Sequence, residues 1–248
     1  PLLIFTPDTP KSGLTLVQSA KSGIQDVIAT VSQLKHYANI ARYLLARMLF
    51  NDGMVGVLVF GGVYAAGTFD WDTISLLIFG LCTSVSAMIG AFVGGRIDDR
   101  LGSLATLKVS VLMTCLILLA LVSIQTDQIG FWFTVSTQPV WDFPYFTTIA
   151  EVVYFSINQV FALFFVTALS ASRTLMAKIC PPEKATQFFG LYGLSGSVTA
   201  FLAPLLVATT TQWFDSQRAG FASLVLLIAV GGVMLFAVTE ARSDVPAT

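Results

Sequence analysis

The sequence predicts an all-α membrane protein with a bundle of six transmembrane helices. Of its 248 residues, 55% are hydrophobic and only 11% are charged, whereas soluble domains carry about 25% charged residues. Too little polar surface is therefore present to cover a globule in water. A helix crosses a bilayer with roughly 20 apolar residues, and the runs are continuous, which favours helices over barrel strands. Six windows qualify: 43–66, 73–93, 104–124, 149–170, 186–210 and 219–238.

The positions of lysine and arginine predict how the spans are oriented. Cytoplasmic loops of membrane proteins are enriched in these residues. A cytoplasmic N-terminus places every Lys and Arg of this chain on the cytoplasmic side except Arg218. Both ends of the chain are therefore predicted to be cytoplasmic, with the lipid bilayer as the surrounding partner. The net charge of −1 gives no indication of a nucleic-acid partner.

Residues 1–38 are more polar than the rest and precede the predicted bundle at 39–240. Apolar residues recur at helical spacing from Leu14 to Leu34. This pattern predicts an amphipathic helix that lies on the cytoplasmic membrane surface or packs against another cytoplasmic segment. Residues 241–248 form a cytoplasmic tail in this scheme.

The first span contains a carboxylate, Asp52, next to Asn51. Asp52 lies five residues beyond Arg47, which is about 7.5 Å deeper along a helix. A carboxylate at this depth can act as a gate or take up a proton when it is desolvated. It can equally pair with Arg47 or another cytoplasmic arginine and hold helix ends together. Asn51 and Asp52 are therefore candidates for substrate binding or proton coupling.

The stretch "GGRIDDRLG" at 94–102 joins the second and third spans. Its glycines, among them Gly95 and Gly102, allow a tight turn and close helix approach. Asp98, Asp99 and Arg100 can pair with neighbouring helix ends in one arrangement of the helices and separate in another. The alternative is a solvated loop whose arginines only enforce the topology.

The loop 125–148 is rich in aromatic residues and lies at the outer membrane boundary. Rings at this density are typical of an interfacial belt, although an aromatic vestibule for substrate is the alternative. They are Phe131, Trp132, Phe133, Trp141, Phe143, Tyr145 and Phe146.

The fourth span contains the polar residues Glu151, Asn158 and Gln159. Glu151 is a candidate for substrate binding or proton coupling, but it is near the outer end, where a solvated terminus is the alternative explanation. Asn158 and Gln159 are about two turns deeper and are candidates either for hydrogen bonds to a substrate or for bonds between helices. Arg173 ends this helix, where it can meet the helix dipole or a gating carboxylate such as Asp99.

The fifth span begins after Pro181 and Pro182, with Glu183 in the position that the positive end of a helix favours. Small residues spaced by three and four predict close helix contacts in the first span and in the fifth. They are Gly53, Gly56, Gly61, Gly62, Gly190, Gly193, Gly196, Ser197 and Ala200. Pro204 removes a backbone hydrogen bond and predicts a kink inside the fifth helix.

Metal sites, cofactors and enzyme activity are not indicated. The three cysteines form no C-x-x-C pair, and His36 is the only histidine. The glycines of 190–196 follow no strand, so they do not indicate a nucleotide site. No inward constellation of His, Asp and Ser suggests an intramembrane enzyme.

Three stretches resemble a known family. Gly95, Asp99, Arg100 and Gly102 resemble the G-x-x-x-D-R-x-G signature of major facilitator superfamily transporters, found between spans two and three or eight and nine. "LLARMLFNDGMVGVLVFGGVYA" at 44–65 and "SRTLMAKICPPEKATQFFGLYGLSGSVTAFLAPLL" at 172–206 are similar to spans seven, ten and eleven of the branch containing the autophagy-related vacuole effluxers and their bacterial relatives.

This resemblance implies that the chain is the C-terminal half of such a transporter, spans seven to twelve, preceded by the end of a central linker. The missing partner is then an N-terminal six-helix half. The implied function is secondary transport of a small polar solute, with amino acids suggested by the vacuolar relatives. Asp52 would couple transport to proton uptake or act as a gate residue, and Asp99 and Arg100 would close the transporter on its cytoplasmic side.

The alternative is a membrane subunit or scaffold that keeps half of the fold without transport. The expected location is the bacterial inner membrane, or the vacuolar membrane if the protein is eukaryotic.

Overall fold

The computed structural model describes residues 37–240 and is all-helical apart from one short hairpin. The predicted amphipathic helix between Leu14 and Leu34 and the tail 241–248 lie outside these residues. The helices are α1 (Ala38–Phe69), α2 (Thr73–Leu101), α3 (Ser103–Val122), α4 (Ile149–Ile179), α5 (Ala185–Ser195), α6 (Leu202–Phe214) and α7 (Gln217–Leu235), with a 3-10 helix at Pro182–Lys184. Strands β1 (Gln128–Ile129) and β2 (Phe133–Thr134) pair antiparallel within the loop that follows α3.

Five of these helices are long and apolar enough to cross a membrane: α1, α2, α3, α4 and α7. Each of these five helices covers all or most of one predicted window, so five predicted spans are confirmed as helices. Many of their large apolar side chains are exposed on the bundle surface, as expected where the solvent is hydrocarbon.

The predicted fifth span, 186–210, is wrong as a continuous helix. It divides into α5 and α6, and turns occupy 196–201 between them. In this segment Gly196 N–H donates to Gly193 O at 3.2 Å, and Leu202 N–H donates to Thr199 O at 2.8 Å, so tighter bonds replace the α-helical ladder. Pro204 does not kink a helix interior as predicted, because it lies in the first turn of α6, where its missing N–H leaves no bond unmade.

The helices pack as two interlocked units, α1–α3 and α4–α7. The first helix of each unit packs against the last helix of the other, so α1 lies against α7 and α4 lies against α3. The units are also joined where α2 packs against α4 and α3 packs against α7. This exchange is the arrangement expected of the inverted three-helix repeats in a transporter half.

Close helix contacts form at some of the predicted small residues and not at others. A Cβ on Gly53 would lie 2.7 Å from Ile228 Cγ1, and one on Gly56 would lie 2.8 Å from a methyl of Leu224. Both glycines therefore allow α7 to pack closely against α1. Around Gly190 and Gly193 a Cβ would meet no described atom within 4 Å. The predicted close approach at α5 is therefore absent within residues 37–240, and that face is open.

One end of the bundle, which we call the basic end, gathers the start of α1, the end of α2, the start of α3, the end of α4 and the segment after α7. Glu240 Oε2 accepts from Leu104 N at 3.0 Å, and Glu240 Oε1 lies 3.0 Å from Lys178 Nζ. Asn39 and Thr239 exchange hydrogen bonds of 2.6 and 2.9 Å. At the opposite end, which we call the hairpin end, Tyr64 Oη donates to Ile124 O at 3.1 Å and so joins α1 to the loop after α3.

Cys180, which ends α4 at the basic end, should react slowly with thiol reagents. Burial raises the pKa of its thiol, and the thiolate is the reactive form. With Cys82 and Cys115 replaced by alanine, maleimide labelling at pH 7 should be at least about tenfold slower in the native protein than after unfolding in detergent, and should accelerate as the pH rises. Equal labelling rates in both states would contradict the burial of this thiol.

Candidate functional site

The main candidate for a solute site is a cleft where α1 and α2 diverge and α4 closes the back. Its volume is about 530 Å³, and its walls are mostly apolar. Three residues contribute polar groups: Thr83 and Ser84 from α2 and Asn158 from α4. Ligand sites are typically apolar clefts of about 300–1,000 Å³ with a few polar groups that fix orientation, which this cleft matches.

Asn158 is the polar group at the back of the cleft and is only 4% exposed. Its Nδ2 donates to Thr83 Oγ1 at 3.2 Å, and Thr83 Oγ1 donates to Phe79 O at 2.7 Å. Within residues 37–240 no hydrogen bond is donated to Asn158 Oδ1, so an acceptor is available beside the cleft. Asn158 thus makes the predicted bond between helices and also lines the cleft.

Gln159 is next to Asn158 in sequence but does not line the cleft. Its Oε1 accepts from Ser86 Oγ at 2.9 Å, and its Nε2 donates to Phe155 O at 3.3 Å. Both amide atoms are therefore used to join α4 to α2 and to its own backbone, which is the predicted interhelical role.

The prediction that Glu151 sits at a solvated helix end is wrong, because Glu151 is 8% exposed. Its Oε1 accepts from Trp71 Nε1 at 2.8 Å, and its Oε2 accepts from Thr148 N at 2.7 Å. Thr148 completes a capping box at the start of α4. The carboxylate is buried because the aromatic residues packed around Trp71, among them Phe146 and Tyr154, cover this end of the helix.

Asn51 and Asp52 are both buried in α1, and Asp52 is 5% exposed. Asp52 Oδ2 accepts a hydrogen bond from the backbone N–H of Ala203 at 3.0 Å. Ala203 is in the first turn of α6, so the carboxylate caps the helix that follows the interruption. The alternative ion pair with Arg47 is not formed in the described part of the chain.

Arg47 is instead directed at the end of α5. Its Nη1 donates to Tyr192 O at 2.9 Å and to Ser195 Oγ at 2.7 Å, while its guanidinium lies 3.7 Å from the centre of the Tyr192 ring. Sequence analysis treated Arg47 only as a topological charge or a partner of Asp52. An arginine inside the predicted first span, 43–66, was the sequence signal that it has a specific partner.

The charged junction at the basic end keeps its predicted position but is helical for most of its length. Residues Gly95, Asp98, Asp99 and Arg100 lie in the last turns of α2, and Gly102 ends the helix with φ of +85° and donates its N–H to Asp98 O at 2.9 Å. The turn expected at this glycine is therefore present.

The side chains of the junction differ in exposure. Asp99 and Arg100 are exposed, whereas Asp98 is buried with no hydrogen-bond partner for its Oδ1 among the described residues. Arg173 is exposed on α4, and no ion pair with Asp99 is present within residues 37–240. The ion pair found at this end joins Lys178 to Glu240, two residues that sequence analysis did not single out.

No group of three His, Cys, Asp or Glu side chains in the part that the structure describes comes together as a metal site. The polar residues described above instead line the cleft, bond to helix ends or lie at the basic end. A membrane-spanning bundle of interlocked repeats, with a cleft between its helices, defines one half of a major facilitator fold.

Comparison with known proteins agrees with this class and narrows it. The family model described as "Vacuole effluxer Atg22 like" matches residues 1–248. The chain belongs to this family of transporters.

Three relatives illustrate the similarity. The chain is 25% identical over 214 residues to YxiO of Bacillus subtilis, named an uncharacterized transporter of the major facilitator type, covering 86% of this chain and 44% of YxiO. It is 21% identical over 201 residues to autophagy-related protein 22 of Cryptococcus neoformans, covering 80% and 33% of the two chains. Autophagy-related protein 22-1 of Neosartorya fischeri is 22% identical over 207 residues, covering 80% and 31%.

The chain therefore spans less than half the length of these relatives. No solved structure shows a significant match to it.

Proposed function

We propose that this bundle is the C-terminal half of a secondary active transporter that moves a small polar solute by alternating access. The observation that supports the proposal best is the open cleft between α1 and α2, with the free acceptor of Asn158 at its back. The membership in the vacuole effluxer family makes amino acids the first class of solute to test.

The chemistry of the cleft suits a solute that is small and partly polar. Asn158 Oδ1 would accept from an ammonium or amide group, and the hydroxyls of Thr83 and Ser84 would contribute further hydrogen bonds. The apolar walls would contact the remainder of the solute and exclude water. Asp52, beside Asn51 in α1, is the proposed coupling position because it is the buried carboxylate of the helix that forms one wall.

The proposed partner is a six-helix half that covers the open faces of α2 and α5. A Cβ placed on Gly80 or Gly95 of α2, or on Gly190 or Gly193 of α5, would have no described atom within 4 Å. Small residues allow close helix contact in membranes, where no hydrophobic effect drives association between helices. Two such open faces fit a partner bundle that packs against this half.

We assign the basic end to the cytoplasm, with both ends of the chain on that side, because lysine and arginine are retained there. The junction residues Gly95, Asp98, Asp99, Arg100 and Gly102 would close this end together with the partner half. Arg173, exposed on α4, would contribute a cation to the same closure. The membrane is the bacterial inner membrane, or the vacuolar membrane in a eukaryote.

Replacing Asn158 by leucine tests the site. The loss of one hydrogen bond to the solute should remove about 1–1.5 kcal/mol of binding free energy, so the KM for uptake should rise about tenfold. The measurement is uptake of a panel of radiolabelled amino acids by vesicles that contain the full-length protein.

The matched control is Gln159→Leu, which removes an amide from the same helix outside the cleft and should leave KM unchanged. Equal effects of the two substitutions would remove Asn158 from the site. Absence of uptake of any solute by the unsubstituted protein would favour the alternative, a scaffold that does not transport.

A further inference from the structure

We propose that the interrupted fifth span is a hinged gate, and that Arg47 and Asp52 are positioning residues which hold its two half-helices to α1 independently. The hinge is the segment 196–201. This inference rests on the proposed transport function and deepens it, because it names the element that moves at the basic end.

The interruption creates backbone groups that need partners. A helix leaves its last four carbonyls and its first four N–H groups without intrahelical bonds, and hydrocarbon offers no water to satisfy them. The break between α5 and α6 therefore exposes both kinds of group within one membrane span. Neighbouring helices have to supply the missing partners.

Arg47 serves the end of α5. It donates to the carbonyl of Tyr192 at 2.9 Å and to the hydroxyl of Ser195 at 2.7 Å, and Ser195 Oγ itself donates to Tyr192 O at 2.8 Å. A cation is favoured at the negative end of a helix dipole. Gly196 leaves room for the guanidinium, because a Cβ there would lie 3.2 Å from Arg47 Nη1.

Asp52 serves the start of α6. Its carboxylate accepts from Ala203 N at 3.0 Å, and an anion is favoured at the positive end of a helix. Between the two charges, the backbone carbonyl of Met48 accepts from Thr199 Oγ1 at 3.2 Å. Opposite charges five residues apart on α1 thus bind opposite helix ends instead of each other.

The two half-helices are attached to the bundle to different degrees. α6 packs closely against α7, where a Cβ on Gly220 would lie 2.9 Å from Val207 O. α5 presents open glycines at 190 and 193, and hinge residues such as Val198 and Phe201 are exposed. α5 can therefore tilt about the hinge while α6 stays in place, provided that the contacts of Arg47 and Tyr192 and the packing of Phe188 on Tyr37 are released.

Tyr192 links this release to α4. Its hydroxyl lies 3.1 Å from Ser172 Oγ, and Ser172 Oγ lies 2.7 Å from Tyr43 Oη of α1. Closing α5 onto the bundle therefore makes contacts with two helices at once. Arg47 provides the charged contact of this closed arrangement.

The test uses the full-length protein with every native cysteine, among them Cys82, Cys115 and Cys180, replaced by alanine and a single cysteine introduced by Leu191→Cys in α5, at a position that is 7% exposed when α5 is closed onto the bundle. We expect Arg47→Gln to increase labelling of this cysteine by a membrane-impermeant maleimide at least fivefold. A cysteine introduced in α6 by Ala208→Cys should keep its labelling rate. The matched charge control is Arg42→Gln, an exposed arginine of the same helix, which should change neither rate.

Transport and binding supply a second readout. Arg47→Gln should lower the maximal uptake rate at least tenfold and leave solute binding to the detergent-solubilised protein within twofold, and Arg47→Lys should restore part of the rate.

The outcomes separate the two proposals. Unchanged labelling at position 191 in Arg47→Gln overturns the hinge, whether or not the protein transports. Failure of the unsubstituted protein to take up any solute overturns the transport function and leaves the labelling result to decide the hinge.

Discussion

Replacing Gly231 by valine should lower the free energy of unfolding by about 3 kcal/mol, at the upper end of the usual cost of overpacking. Gly231 is the point where α7 lies directly on the backbone of α1. A Cβ there would collide with the backbone N of Phe50, and would lie 2.8 Å from Ala46 O and 2.9 Å from Phe50 Cβ. Backbone atoms cannot rotate away as side chains do, so the two helices must separate. Thermal unfolding of the detergent-solubilised full-length protein measures the loss.

The control for this substitution is Gly62→Val, in α1. A Cβ at Gly62 would meet only Leu76 Cδ2 at 3.8 Å, an ordinary van der Waals distance. Its effect should stay below about 1 kcal/mol, because no backbone atom is close and valine is a better helix former than glycine. Similar melting temperatures for the two variants would show that α1 and α7 are not in backbone contact.

Replacing Glu151 by alanine should lower the free energy of unfolding by about 2–3 kcal/mol, because it leaves buried donors without an acceptor. The indole N–H of Trp71 and the backbone N–H of Thr148 both donate to this carboxylate, at 2.8 and 2.7 Å. The start of α4 also loses half of its capping box. Thermal unfolding again supplies the measurement.

Glu151→Gln is the matched variant, because glutamine keeps an acceptor oxygen and is compatible with a capping box. It should retain more than half of the lost stability. If alanine and glutamine are equally stable, the bonds to Trp71 and Thr148 contribute little. Solute uptake separates this role from a substrate role, since a residue bonded to Trp71 and outside the cleft should not alter KM.

Much of the fold could be predicted because apolar length is a property of the sequence alone. A run of about 20 apolar residues has to form a helix in hydrocarbon whatever its neighbours are, and five windows did so. The turn at Gly102 was also predictable, because a glycine there supplies the positive φ that ends α2. The family resemblance indicated the transporter class from three short stretches of the sequence.

The polar residues of the candidate site could be predicted from the sequence, but the groups that they bond to could not. Asn158 and Asp52 were found because polar groups within apolar runs are costly and need a reason. Their partners, Thr83 and the N–H of Ala203, are 75 and 151 residues away in sequence, so spacing could not indicate them. Glu151 was expected to be exposed to water because it lies near the end of its helix. The aromatic residues that bury it could not be identified from the sequence.

The sequence by itself determined that the chain lies in a membrane, where its helices fall along the chain and which end carries the basic residues. Only the tertiary structure decided that the fifth span is broken and that Arg47 and Asp52 serve its two ends. The physical reason is that helix formation in lipid depends on local hydrogen bonds, whereas a broken helix survives only if distant side chains satisfy the groups that the break exposes.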